Sequence, residues 1–157
     1  MNKKIVIAPI FCEAHLIKYQ IPNIIDTINP DVIIYNEGMW PHGTEGEMSL
    51  NQEWLDKYTL NGEGKRGFDY LELKQIVLDA QKKYPNTKII LNEMDFTDCS
   101  DKGEYDYCGT KCYVKACSNF KELDIEINKG DYIFLFEGDT FHHEKDRQFL
   151  DGYLQQL

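Results

Sequence analysis

Gly130-Asp131-Tyr132-Ile133-Phe134-Leu135-Phe136-Glu137-Gly138-Asp139-Thr140-Phe141-His142-His143 is the stretch on which the fold turns. Tyr132 to Phe136 is an unbroken run of aromatic, aliphatic and β-branched residues with polar residues on both flanks. A run this short cannot make a helix, so it predicts a strand buried on both faces. Where the chain must leave the sheet it carries Glu137 and Asp139, spaced i, i+2, followed by His142 and His143. Ligands of open α/β sheets bind beyond the carboxyl ends of the strands. Carboxylates and imidazoles at that place have the oxygen and nitrogen donors a divalent metal takes. The competing reading is an acidic, solvated turn after a core strand, since Gly and Asp are common turn residues.

Working outward, three other runs have the same character. Lys3 to Ala8 reads as a buried strand that Pro9 stops; Asp31 to Tyr35 and Lys88 to Asn92 read likewise. Between the first two, Ile17, Ile21, Ile24, Ile25 and Ile28 recur at helical spacing, with Pro22 expected to kink that helix or begin its main part, and Asn29-Pro30 to end it. Asp69 with Glu72 forms a capping-box pattern ahead of Leu73, Ile76, Val77, Ala80 and Tyr84, a second amphipathic helix closed by Pro85-Asn86. The residues from Gln52 to Arg66 show no clean period, and Asn61 to Gly67 reads as a basic loop. Cys112 to Leu123 and Asp146 to Leu157 are further helix candidates. Strands alternating with helices call for an α/β fold: a mainly parallel sheet with helices on both faces, in one domain over residues 1–157. In such a sheet the strand exits share one rim. Glu13, Glu37, Glu93, Asp95, Glu137 and Asp139 would then gather there, an arrangement that is costly without a cation.

The bulk properties narrow the function. With 157 residues, 42% of them hydrophobic and 28% charged, the chain has the length and composition of one soluble domain. Lys plus Arg number 17 against 27 Asp plus Glu, a net charge of −10, which argues against a duplex nucleic-acid binder, since that class usually needs a basic stripe. A phosphorylated ligand would have to be met by a local cation or a helix N-terminus instead. The basic start Asn2-Lys3-Lys4 leads into an apolar segment too brief for a signal peptide, and no run reaches transmembrane length; a cytoplasmic location is expected. Five cysteines cannot all pair internally. Of the cluster Cys99, Cys108, Cys112 and Cys117, only Cys108 and Cys112 have the close spacing of a zinc pair, so reduced thiols compete with a structural zinc.

Taken together, these motifs resemble the family 2-like glycosyltransferases with the GT-A fold, nucleotide-sugar-binding enzymes. Ile33-Ile34-Tyr35-Asn36-Glu37-Gly38 with Gly43-Thr44 matches the family's first acidic turn. Lys115-Ala116-Cys117-Ser118-Asn119 matches its Asn-containing helix, and Gly130 to Asp139 matches its Gly-Asp-Tyr strand and Asp-x-Asp metal motif, with Glu in place of the first Asp. The resemblance spans nearly the whole chain. It implies transfer of a sugar from a nucleotide-sugar, a UDP-sugar foremost, to an unknown acceptor with Mn²⁺ or Mg²⁺ as cofactor. It also implies that Pro9, Glu37, Gly38, Lys115, Asn119 and Glu137 would line the nucleotide-sugar site. Asp139 would be the direct metal ligand, with Glu137 facing ribose or metal-bound water and His142 or His143 completing the shell. The family's acceptor half and base follow the Asp-x-Asp by many residues, so the expectation is the donor-binding half of a larger enzyme, or a minimal or inactive relative. Glu93 and Asp95 are the rim candidates for a base, away from the family's position for it.

Two rivals belong to other classes. A metal-dependent hydrolase or phosphoesterase would use Asp139, His142 and His143, although no His-x-His or His-Glu-x-x-His motif is present. A non-catalytic binding module would present Met39, Trp40 and Trp54 to a partner. The β-α-β order also fits other doubly wound nucleotide-binding folds, but the missing Gly-x-Gly-x-x-Gly and Gly-x4-Gly-Lys-Ser/Thr patterns argue against dinucleotide and P-loop chemistry.

Overall fold

A computed structural model describes residues 2–10, 13–37, 59–60, 65–66, 68–93, 120–136 and 141–142. Four strands form an all-parallel sheet: β1 (Lys4–Ile10), β2 (Val32–Glu37), β5 (Lys88–Glu93) and β6 (Tyr132–Leu135), in the order β5-β2-β1-β6. Helix α1 (Ala14–Ile28) joins β1 to β2, and helix α2 (Phe68–Lys83) precedes β5. A two-stranded antiparallel ribbon of β3 (Thr59–Leu60) and β4 (Lys65–Arg66) lies between β2 and α2 in the chain, around the segment expected to be only a loop.

The side-chain alternation of the strands sorts the core into two layers. Val6, Ala8, Ile10, Ile33, Tyr35, Ile89 and Phe136 face the helices and pack with Ile17, Ile21 and Ile24 of α1 and Leu73 and Val77 of α2. Ile5, Ile7, Val32 and Ile34 face the other way and are covered by Phe120 and Ile125, with Ile90 and Leu123 against them. Each wholly buried Ile contributes roughly 1.5–3 kcal/mol by leaving water, so the helix-facing layer dominates the fold. Both described helices touch each other and lie on one face. That differs from the expected cover of helices on both faces: the second cover, among the described residues, is the turn 120–124 and Ile125. Residues 112–119 of the helix expected there, and the closing helix of 146–157, lie outside the described residues.

β6 departs from its expected double burial. Phe134 is packed against the core and Phe136 is buried, but Ile133 and Leu135 are 42% and 55% exposed. Among the described residues β6 is an edge strand beside β1 alone, and the 120–125 cover sits over the inner strands. An apolar run predicts burial only to the extent that a second layer reaches it.

Local devices set the element ends. Asn29 closes α1 in a left-handed conformation (φ 51°, ψ 62°), its N–H shared between the carbonyls of Ile24 and Ile25; Asn is one of the few residues that enters this region readily. Pro22 lies inside α1, which continues through it rather than starting there. At the amino edge of the sheet, carboxylates hold strand entries: Asp31 accepts the Lys4 N–H at 2.8 Å, and Asp131 accepts those of Lys3 at 2.7 Å and Asn128 at 2.8 Å. These backbone donors favour the charged form and hold the Asp131 carboxyl below the usual range.

Candidate functional site at the carboxyl rim

Because all four strands run parallel, their carboxyl ends share one rim. Successive strands β1, β2 and β5 step in one direction, and β6 lies on the other side of β1. The order therefore reverses between β1 and β6, the place where open α/β sheets form a ligand crevice.

Pro9 stands at that switch point. It was expected to stop β1, yet the strand continues to Ile10 and stays paired with β2 as far as Ile10–Glu37. On the other side the β1–β6 ladder ends at Ile7–Leu135, with the Phe136 N–H reaching the Ile7 carbonyl at 2.9 Å. In a parallel ladder the next bond would come from the N–H of residue 9 to Phe136, and proline has none to give. One residue thus ends pairing toward β6 while leaving pairing toward β2 intact, because alternate residues of a strand bond to opposite neighbours.

Glu37 stands at the end of β2, level with Ile10 of β1 and Glu93 of β5. It is only 4% exposed, which sets it apart from a solvated turn carboxylate. Glu93 is less enclosed: it accepts a hydrogen bond from the Tyr70 hydroxyl and lies 3.8 Å from the Lys74 ammonium, both on α2. As a candidate base it is already engaged by a phenol and a cation. One residue earlier, on the opposite face of the sheet, the Asn92 amide donates to Asn36 Oδ1 at 2.7 Å. Asn36 is fully buried, so this cross-strand amide pair locks the β2 and β5 ends at one level. The pair was missed from the sequence, although the chain carries a signal for it: Ile33-Ile34-Tyr35-Asn36-Glu37 and Ile89-Ile90-Leu91-Asn92-Glu93 are near repeats, and they lie in register.

Glu13 occupies the position before α1, where its carbonyl accepts the N–H groups of Leu16 and Ile17, and its side chain makes no cap bond. His142 is placed elsewhere. Its backbone is bonded twice to the Asn23 side chain, and its ring lies against Phe136 with centroids 4.6 Å apart. Phe136 follows Leu135, the partner of Ile7, whereas Glu37 is level with Ile10, so the His142 ring stacks about two strand residues below the rim. Gly38, Asp95, Lys115, Asn119, Glu137, Asp139 and His143, and the cysteines of residues 99–117, lie outside the described residues. The structure thus joins Pro9, Glu37 and Glu93 at one rim. Among the described residues no three His, Cys, Asp or Glu side chains gather where they could hold a metal ion, and no helix is long and apolar enough to cross a membrane.

Comparison of the chain with protein-family models, with curated proteins and with solved structures finds no match.

Proposed function

We propose that the chain binds a nucleotide-sugar, a UDP-sugar foremost, in the crevice between β1 and β6 and serves as a metal-dependent glycosyltransferase or as its donor-binding half. The observation that carries this reading is the enclosed Glu37 carboxylate at the end of β2, next to the point where Pro9 parts β1 from β6. A carboxylate at the end of the second strand of a doubly wound sheet is well placed to accept hydrogen bonds from ribose hydroxyls; the uracil N–H is an equivalent donor. Pro9 and the β1 backbone form the facing wall, and Gly38, Lys115 and Asn119 are assigned to the same site by resemblance. Asp139, with Glu137, would hold Mn²⁺ or Mg²⁺. The bound ion would offset the negative charge that builds on the departing nucleoside diphosphate.

Titration calorimetry of the wild type, Glu37→Gln and Asp139→Ala with uridine, and with UDP-glucose plus Mn²⁺, tests the assignment. Loss of one charge-assisted hydrogen bond is worth about 1.5–3 kcal/mol, so Glu37→Gln should weaken both ligands by roughly tenfold or more. Asp139→Ala should abolish the Mn²⁺ enhancement and spare uridine. Equal affinities in all three proteins would end the proposal, and turnover of a simple phosphate ester without nucleotide binding would favour a hydrolase.

A further inference from the structure

The two edges of the four-stranded sheet are finished differently. At the β5 edge the Gln81 side chain on α2 donates from Nε2 to the Ile89 carbonyl at 2.7 Å, filling a main-chain acceptor that faces away from β2. That strand also begins on Lys88 and ends on Glu93. A capped carbonyl and charged ends both discourage an edge strand from pairing with another chain. β6 has no such device within its own sequence: Tyr132-Ile133-Phe134-Leu135 holds no charge, proline or glycine. Among the described residues it pairs with β1 alone. The N–H groups of Tyr132 and Phe136 reach the Lys3 and Ile7 carbonyls, so by strand alternation those of Ile133 and Leu135 point away from β1. The side chains of the same two residues share one face of the sheet and are 42% and 55% exposed.

We infer that β6 is a homodimer interface: a second copy of the chain adds its own β6 antiparallel across a two-fold axis, and two four-stranded sheets join into one. With the axis at Phe134, Ile133 of each copy exchanges both main-chain hydrogen bonds with Leu135 of the other. That register is self-complementary. It gathers the exposed Ile133 and Leu135 side chains of both copies on one face and sets no charge opposite another along the strand. Each copy carries a net charge of −10, which opposes self-association wherever acidic side chains meet, so an uncharged strand is where two copies approach at least cost. The isologous contact uses up both β6 edges, and the outer ends of the joined sheet are the Gln81-capped β5 edges, so assembly stops at two. A strand of four residues makes a small contact, which puts the dimer at the weak, concentration-dependent end of the range. The inference is independent of the nucleotide-sugar reading.

Sedimentation velocity of the full chain, from low micromolar to several hundred micromolar, tests this directly, and the wild type should pass from monomer to dimer over that range. Ile133→Lys and Leu135→Lys each place two ammonium groups in the symmetric contact and should weaken the dimer at least about tenfold. Leu78→Lys, on α2 and as exposed as Ile133, should leave it unchanged. Far-UV circular dichroism checks that the variants keep the wild-type fold. Amide hydrogen exchange on the wild type needs no variant: the Ile133 and Leu135 amides should slow as concentration rises, while that of Phe136, already bonded to Ile7, should not. A wild type that stays monomeric throughout overturns the inference. So does a dimer that both folded lysine variants of β6 leave intact, or exchange at Ile133 and Leu135 that is independent of concentration.

Discussion

Tyr35 offers a substitution whose effect runs against the usual expectation for a core residue. It lies in the middle of β2 between Ala8 of β1 and Leu91 of β5, is wholly buried, and its hydroxyl has no hydrogen-bond partner among the described residues. Burial also pushes its ionisation far above that of an ordinary phenol. An unsatisfied buried hydroxyl costs about 1–3 kcal/mol in mutational series. Tyr35→Phe removes the hydroxyl and keeps the ring, leaving a void smaller than a methyl group. The net expectation is stabilisation by about 1–2 kcal/mol, or about 4 °C in Tm for a chain of this length. Urea denaturation at neutral pH reads it as a higher midpoint with the slope unchanged. The pH dependence supplies a second measure. The unfolded phenol ionises near 10.0 while the folded one stays protonated. Above that pH the unfolded state binds fewer protons, so wild-type stability falls with rising pH by up to about 1.4 kcal/mol per unit for this group. Phe cannot ionise, so the advantage of the variant should widen as pH passes 10. Destabilisation by about 1 kcal/mol or more at neutral pH would refute the reasoning, because it would mean that the hydroxyl is hydrogen-bonded in the folded protein.

Leu73 is wholly buried on α2 whereas Leu78 of the same helix is 42% exposed. Leu73→Ala should cost about 2–5 kcal/mol and Leu78→Ala no more than about 0.5 kcal/mol, measured as urea midpoints. Asp131 has its pKa lowered by backbone donors, so its contribution is present above the ordinary carboxyl value of 3.8 and is lost as pH falls through the lower folded value. Asp131→Ala should therefore lower stability at neutral pH and flatten the acid limb of the stability profile, which a series of melts from pH 6 to pH 2 would register.

The candidate site was legible in proportion to how local its signals are. Glu37 and Glu93 were found because each follows an apolar run, and a parallel sheet brings strand exits together whatever the strand order. Asn23 gave no such signal. Its partner is 119 residues away, and an Asn on a helix ordinarily reads as a solvated position. His142 was read from its place after the acidic motif, which says nothing of the Asn23 side chain that binds its backbone or of the Phe136 ring beside it. Hydrogen bonds to main-chain atoms leave no trace in the identity of the residue that supplies them.

By itself the sequence determined the α/β class, the four parallel strands and the buried stripes of both helices. Those follow from period and residue type, which act over a few neighbours. Only the tertiary structure decided that β6 lies beside β1. That single adjacency puts Pro9, which has no N–H to give, just past the last β1–β6 pair and, among the described residues, leaves Ile133 and Leu135 exposed at an edge. Strand order depends on contacts between residues more than a hundred positions apart, and no local pattern carries it.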